Sequence, residues 1–462
     1  MPECSLWAEQ AWIASRWQSK VLLDIDTQGC WSRITCGVAT PPPHARVLPG
    51  PVLPGLVDAH SHAFQRAFVG LSERRASESD DFWSWRERMY RVALRITPDQ
   101  LLAVAAQLYL ELLRGGYTQV CEFHYLHQDP SGQPYADPAT LCWALADAAR
   151  HSGIGLTLLP VLYQRAGFAR PALQHDQRRF ASTPTMVMEL ARAVQSRGQP
   201  QLQAGVAIHS LRAADAASIQ ALLKQVGGDA MPIHIHIAEQ TGEVDDCLQS
   251  TGRRPIQYLC DTLAPDARWQ LVHATHATPR EIEAVARSGA GIVICPATEA
   301  NLGDGLTDLA GWLNAGVPMA IGSDSHVVRN WPEELRWLEY GQRLLHHKRN
   351  VAAAPGQQEA TAARLFDAAL AAGGTAAGIS RWGLVAGARA DALVIDSRAP
   401  AQLGIAPSHR LDALVFAGGE PALREVLVAG QVMLQDGRHR SQDAIADTFA
   451  DAMQDLWSDA TR

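Results

Sequence analysis

The sequence has no hydrophobic run long enough to form a transmembrane helix. Its most apolar stretch, residues 101–113, is interrupted by Gln107 and Glu111 and is typical of a buried helix. The N-terminal residues lack the positive charge and the long apolar region of a signal peptide. We therefore expect neither a membrane partner nor a secretory leader.

Cysteines are few, and an excess of positive charge is absent. Eight cysteines are scattered along 462 residues without a Cys-x-x-Cys pair. That pattern excludes a disulfide framework and a thiolate zinc site, and it favours a reduced, cytoplasmic enzyme. The 40 Lys and Arg residues against 48 Asp and Glu residues give a net charge of −8, which argues against a nucleic-acid partner. Hydrophobic residues make up 47% of the chain, which excludes a disordered or fibrous protein.

Between residues 51 and 379, short apolar segments of strand length alternate with longer segments of helical periodicity. Thr97-Pro98 and Thr278-Pro279 each place a capping hydroxyl before a proline, which predicts a helix start. The repeats predict an α/β fold, a (β/α)8 TIM-like barrel, with a doubly wound open sheet as the alternative. The strand candidates are residues 52–58, 118–124, 154–162, 203–209, 232–238, 270–274, 291–295 and 319–323.

The two ends of the chain contain further β-prone runs. Residues 1–50 and 380–440 predict a small β-sandwich domain built from both chain termini. Residues 441–462 are predicted to contain a C-terminal helix.

The strongest local signal is His60-Ser61-His62 at the end of the first barrel strand. Side chains alternate along a strand, so the two imidazoles point to the same side and could bind zinc or a similar divalent ion. The alternative is a pair of surface histidines at a strand end. Three more strands end in residues that could share such a site. The fifth contains His236 and is followed by Glu239, the sixth ends in His273, and Asp324 follows the eighth. Catalytic residues of a barrel collect at these strand ends.

These residues, in this order along most of the chain, resemble the metal-dependent deaminases of the amidohydrolase superfamily. The resemblance implies metal ligands at His60, His62, His236 and Asp324. Members with two ions use a modified lysine on the fourth strand, and residues 202–209 contain no lysine. We therefore expect one divalent ion, zinc being favoured by the ligand set, although iron or manganese accept such ligands too.

The resemblance also implies catalytic roles. Asp324 is expected to accept a proton from the attacking water, and His273 to orient that water. Glu239 is expected to carry a proton to the departing nitrogen, a general acid/base task. The alternative for Glu239 is a group that only orients a metal ligand.

Three local signatures are similar to the formimidoylglutamate deiminase group of the superfamily, enzymes of histidine degradation. They span residues 60–66, 322–326 and 333–343. The similarity implies a homodimer that releases ammonia from N-formimino-L-glutamate, a small dianionic substrate. It implies substrate contacts from Gln65, Arg86, Tyr125, His209 and Arg212, with Arg86 acting either in its own subunit or across the dimer interface.

Alternative interpretations remain open from the sequence. One is a related enzyme acting on a cyclic substrate, such as a nucleobase deaminase or an imidazolonepropionase. Another is an inactive metal-binding scaffold. His124 and His127 form a His-x-x-His pair, and His234 precedes a proposed ligand, but we interpret all three as structural.

Overall fold

The computed structural model describes residues 4–73, 82–419 and 422–458, and within this range it leaves out the side chains of residues 82–84, 86 and 87. Two sheets organise this part of the chain. One is a parallel barrel surrounded by helices, and the other is a largely antiparallel sheet formed by strands from both ends of the chain. The predicted barrel with a small β part from both termini is confirmed.

In the described residues, eight parallel strands follow one another around the barrel in chain order. From first to eighth they are Leu56–Ser61, Tyr117–His124, Gly155–Leu162, Val206–Ser210, Ile233–Ile237, Trp269–His273, Gly291–Ile294 and Met319–Ile321. A short additional strand, Leu202–Ala204, pairs with the third. Each predicted strand segment overlaps one of them. The open-sheet alternative is wrong, because the first and eighth strands also meet.

The barrel closes through backbone hydrogen bonds just beyond the eighth strand. The amide of Asp324 donates to the carbonyl of His60 at 2.9 Å, and the amide of His62 donates to the carbonyl of Asp324 at 3.3 Å. Gly322 permits this approach, because a Cβ there would lie 2.9 Å from backbone atoms of His60. The closure thus brings distant segments of the chain together at the barrel mouth.

Helices cover the barrel between successive strands. Thr97 and Thr278 form capping boxes at the predicted helix starts, where their hydroxyls accept a backbone hydrogen bond. The longer helices are Phe82–Ala93, Pro98–Arg114, Thr140–Ser152, Pro184–Ser196, Ala216–Val226, Thr241–Thr251, Pro255–Leu263, Pro279–Ser288, Trp331–His346, Thr361–Ala376 and Gln442–Trp457. The shorter α-helices are Pro296–Leu302, Leu309–Ala315 and Arg410–Phe416. No helix of the described residues is long and apolar enough to span a bilayer.

The second sheet joins the two ends of the chain around an apolar core of its own. Its strands are Cys4–Ile13, Arg16–Ile25, Trp31–Thr35, Arg46–Val47, Val52–Pro54, Ala392–Ile395, Leu423–Val428, Gln431–Gln435 and Arg438–His439. The predicted strand 52–58 is therefore two strands. Val52–Pro54 pairs with Ala392–Ile395 in this sheet, and after Gly55 the chain enters the barrel as Leu56–Ser61.

The aromatic segment that begins at Phe82 forms the start of helix Phe82–Ala93. Tyr90 is buried on this helix, and Trp85 is partly buried. The ring of Trp85 packs against Phe68 and that of Tyr90 against Phe180, and this packing stabilises the helix beside the barrel.

Candidate metal centre and active site

Three imidazoles and one carboxylate converge where the barrel closes. Nε2 of His60 lies 3.1 Å from Nε2 of His62 and 3.0 Å from Nε2 of His236. Oδ1 of Asp324 lies 3.5 Å from Nε2 of His60 and 3.4 Å from Nε2 of His62. All four side chains are buried. The structure thus brings together the four residues that the sequence predicted as metal ligands.

Hydrogen bonds on the far side of two rings fix which nitrogen faces the centre. Nδ1 of His62 donates to the carbonyl of Phe123 at 2.9 Å, and Nδ1 of His236 donates to the carbonyl of His209 at 2.9 Å. Burial lowers the pKa of all three histidines, so the rings are neutral. Both Nε2 atoms therefore present lone pairs to the centre.

This arrangement of nitrogens fits a cation. The lone pairs of His62 and His236 both point at Nε2 of His60, which carries at most one proton and can satisfy only one of them. A positive ion among the three nitrogens and the Asp324 oxygen satisfies every donor atom at once. Three neutral imidazoles and one carboxylate form a donor set that suits zinc and related divalent ions.

His273 lies beside this cluster with carboxylates on both edges of its ring. Its Nε2 lies 3.8 Å from an oxygen of Glu239 and 3.8 Å from Oδ2 of Asp324, while its Nδ1 lies 3.3 Å from Oε1 of Glu299. Burial alone would lower the pKa of His273, but the surrounding carboxylates raise it to about 10. Burial raises the pKa of Glu239, which favours a carboxyl that can hold a proton.

The backbone is strained where these side chains leave their strands. Positive φ angles occur at Ala238 (51°), His273 (68°) and Asp324 (48°), which are unfavourable for residues other than glycine. Such strain persists only where surrounding contacts impose it, and it concentrates at functional sites. Here two of the three strained residues, His273 and Asp324, are site residues themselves, and the third, Ala238, immediately precedes Glu239.

A cleft opens onto the cluster. Its walls contain the predicted substrate residues Gln65, Tyr125, His209 and Arg212. Nε2 of Gln65 donates to the hydroxyl of Tyr125 at 3.1 Å. Arg86 belongs to helix Phe82–Ala93, but its side chain lies outside the described residues.

Arg212 supplies a positive charge to this cleft. It is partly buried, and its charge acts to lower the pKa of the nearby Glu239 and Glu243 carboxyls, but it forms no salt bridge with any carboxylate among the side chains that the structure describes. Its loop is held by Arg165, whose guanidinium donates to the carbonyl of Leu211 at 2.7 Å and to the carbonyl of Arg212 at 3.1 Å. A guanidinium on a fixed backbone is suited to binding an anionic group.

Several lining residues were missed by sequence reasoning. They are Trp85, Met89, Tyr90, Tyr163, Phe180 and Leu302. Glu299 was missed as well, although it touches His273. None belongs to a short motif, and their apolar or isolated positions resemble ordinary core residues. Only the spacing of Trp85 and Met89 on one helix face could have indicated a shared surface.

The histidines interpreted as structural lie outside the cluster. His127 contacts the carbonyl of Val161 through Nε2 at 2.9 Å, and His234 contacts the carbonyl of Ala376 at 2.8 Å. His124 is buried with its ring 5.5 Å from that of His127. None of the three belongs to a group that could hold an ion in the described part of the chain.

A closed parallel barrel whose strand ends carry converging imidazoles and carboxylates is the architecture of metal-assisted hydrolases. The chain belongs to the amidohydrolase family, which matches residues 52–433. The chain is 44% identical to formimidoylglutamate deiminase of Pseudomonas aeruginosa over 453 residues, covering 98% of this chain and 99% of that one.

The chain is also similar to more distant proteins. The chain is 27% identical to a 5-methylthioadenosine/S-adenosylhomocysteine deaminase of Natronomonas pharaonis, covering 85% of this chain and 83% of the relative. A crystal structure of an amidohydrolase from Brucella melitensis superimposes with a TM-score of 0.93 at 39% identity, covering 98% of this chain and 100% of that one. A zinc-bound adenosine deaminase from Xanthomonas campestris, 21% identical, gives a TM-score of 0.81 with coverage of 99% and 100% and shares the fold.

Proposed function

We propose that this chain hydrolyses N-formimino-L-glutamate to N-formyl-L-glutamate and ammonia, a step of histidine degradation. The nearly full-length similarity to a formimidoylglutamate deiminase supports this substrate. One structural observation carries the proposal. The guanidinium of Arg212 stands without a salt bridge to any described carboxylate in the cleft that opens onto the metal centre. A substrate with two carboxylates needs such a cation, whereas an uncharged nucleobase does not.

The donor set supports one divalent ion, which we propose to be zinc. His60, His62, His236 and Asp324 would hold it. Bound there, the ion would lower the pKa of water and so provide a nucleophile at neutral pH. The zinc bound to the Xanthomonas campestris adenosine deaminase, which shares the fold, is consistent with this choice. Dialysis against a chelator should abolish activity, and added zinc should restore it.

Three side chains of the chain would move or hold protons during the reaction. Water adds to the formimino carbon, and its proton passes to the carboxylate of Asp324. The ring of His273, 3.8 Å from that carboxylate, would orient the attacking oxygen. Glu239 would protonate the terminal nitrogen as water adds, which makes it an amine. When the bond from carbon to this nitrogen breaks, the proton held by Asp324 would pass to the nitrogen, so that ammonia leaves, and the hydroxyl proton would return to Glu239 as the formyl carbonyl forms. The raised pKa of the Glu239 carboxyl supports this role.

The cleft supports the positions proposed for the rest of the substrate. Arg212 and His209 would bind a carboxylate, and the linked Gln65 and Tyr125 would hydrogen-bond near the formimino group. Arg86 would contribute across the interface of a homodimer. The homodimer and the cytoplasmic location stay predictions.

An ammonia-release assay tests the substrate. Purified, zinc-loaded protein should release ammonia from N-formimino-L-glutamate with kcat/KM at least about 100-fold higher than from adenosine, 5-methylthioadenosine, guanine or cytosine. A preference for any cyclic substrate would refute the proposed substrate while leaving the family unchanged. An imidazolonepropionase would release no ammonia, so that alternative is tested separately, by following the opening of the imidazolonepropionate ring through its absorbance.

A further inference from the structure

Glu122 is a buried carboxylate on the second barrel strand that no step of the proposed reaction uses. Its side chain is 1% exposed. Oε1 accepts a hydrogen bond from the amide of Ala63 at 2.6 Å, and Oε2 accepts hydrogen bonds from the hydroxyls of Ser61 at 2.7 Å and Tyr109 at 3.2 Å. A buried carboxyl group is costly unless it is hydrogen-bonded, and three groups hydrogen-bond to this one.

Two of the three donors flank His62. Glu122 therefore binds the residue before His62 and the residue after it. The next residue of the second strand, Phe123, accepts the hydrogen bond from Nδ1 of His62 at 2.9 Å. Two consecutive residues of one strand thus fix the position and the ring orientation of a proposed metal ligand.

Backbone pairing between the first and second barrel strands is irregular next to the segment Ser61–Ala63. Asp58 pairs with Val120, but the next pair is Ser61 with Glu122, so three steps on the first strand oppose two on the second. Such an irregularity leaves the intervening residues unpaired and bends the strand. His60 lies within the irregular stretch. The side chain of Glu122 supplies the contacts that regular pairing would otherwise provide.

We propose that Glu122 is a positioning residue that sets the Ser61–Ala63 turn so that His62 can bind the ion. The proposal rests on the metal centre of the proposed function and does not depend on the identity of the substrate. It differs from a general structural role because it predicts a specific loss of metal affinity.

Zinc affinity, measured by competition with a chromophoric chelator, tests this role. Glu122→Ala should weaken zinc binding by about tenfold or more, the loss typical of removing a group that supports a metal ligand. Glu122→Gln keeps an acceptor for the amide of Ala63 and can donate to the hydroxyl of Ser61, so it should recover part of the affinity.

Glu339 provides a matched control. It is fully buried and, like Glu122, accepts three hydrogen bonds, from the amides of Val351 at 2.8 Å and Ala352 at 3.0 Å and from the guanidinium of Arg343 at 2.8 Å, but it lies on helix Trp331–His346. Glu339→Ala should keep zinc affinity within about twofold of wild type even if its Tm falls. Folded Glu122→Ala that binds zinc as tightly as wild type would overturn the proposal.

Ser61→Ala and Glu122→Gln keep the test decisive if Glu122→Ala does not fold. Each variant weakens the hydrogen bonding between Glu122 and residues 61–63 without creating a large cavity. Each should therefore weaken zinc binding by about threefold. Unchanged affinity in both variants would also overturn the proposal. Wild-type protein that binds no zinc would instead refute the metal centre, and the ammonia assay reports separately on the substrate.

Discussion

Nδ1 of His273 lies 3.3 Å from Oε1 of Glu299, and both side chains are buried. The same Glu299 oxygen accepts a hydrogen bond from the amide of Cys295 at 3.0 Å, so the carboxylate is itself held in place. This pair leaves Nε2 of His273 facing Glu239 and Asp324. The ring is therefore oriented by a group that is not among the predicted site residues.

Glu299→Gln should lower kcat by at least about tenfold with little change in KM, because Glu299 would orient the ring of His273 for its proposed role but does not itself line the cleft. Steady-state ammonia release at several substrate concentrations separates kcat from KM. Exposed Glu283 offers a control, since Glu283→Gln should change neither constant. Wild-type kcat in Glu299→Gln would show that His273 needs no such partner.

Asp324→Asn should reduce kcat/KM by at least about 100-fold, because the amide cannot accept a proton as a carboxylate does. Zinc content, measured by atomic absorption on the same sample, shows how much of the loss comes from weaker metal binding. Asp451→Asn, on the exposed side of the C-terminal helix, is the matched control. Substantial residual activity in zinc-loaded Asp324→Asn would show that another group is the base.

Glu239→Gln should lower kcat by about 10²- to 10⁴-fold while zinc content stays at the wild-type level, because the amide cannot deliver a proton. Glu239 is not one of the proposed ligands, so metal and activity should separate in this variant. Loss of zinc together with activity would instead favour the alternative that Glu239 only orients a ligand.

Arg212→Met should reduce kcat/KM for the dianionic substrate by about 10- to 150-fold, the loss expected for one charged hydrogen bond. The measurement is the ammonia-release assay under conditions where substrate is far below KM. Arg280→Met, at an exposed position on helix Pro279–Ser288, should behave as wild type. Equal kcat/KM in the two variants would remove Arg212 from the substrate site.

His127 should make stability fall as the pH falls below neutrality. Burial lowers the pKa of His127 to about 4, whereas the unfolded residue has a pKa near 6.5. Between these values the unfolded chain binds the proton and the folded chain does not, so stability present above pH 6.5 is lost toward pH 4.

His127→Gln removes this titration and keeps a donor for the carbonyl of Val161. From pH 7 to pH 5, the variant should therefore lose about 2 kcal/mol less stability than wild type. Thermal unfolding scans at the two pH values measure the difference. His175→Gln, at an exposed histidine, should follow wild type. Parallel curves for both variants and wild type would show that His127 titrates normally.

The repeating parts of the molecule could be predicted from the sequence. Strand segments are apolar and short, so their repetition predicts the barrel, and alternation along the first strand places His60 and His62 on one side. His273 and Asp324 could be added because strand ends share one face of a barrel. These predictions depend only on local periodicity and on the geometry of parallel strands.

What the sequence could not show depends on contacts between distant segments. Glu122 and Glu299 are single acidic residues without a characteristic spacing, and only folding reveals their hydrogen-bond partners. The division of the predicted strand 52–58 at Gly55 also depends on contacts between distant segments. Both halves are β-prone, and the sheet to which each belongs is decided by its neighbours in space.

The barrel closes beside the proposed metal centre. Asp58 on the first strand accepts the backbone amide of Ser323 at 2.8 Å across 265 positions of sequence, immediately beside the proposed ligands from both strands. An ion bound here would link the first and eighth strands at the point where the barrel closes. Loss of the metal should therefore make the mouth of the barrel less stable, in addition to abolishing the reaction.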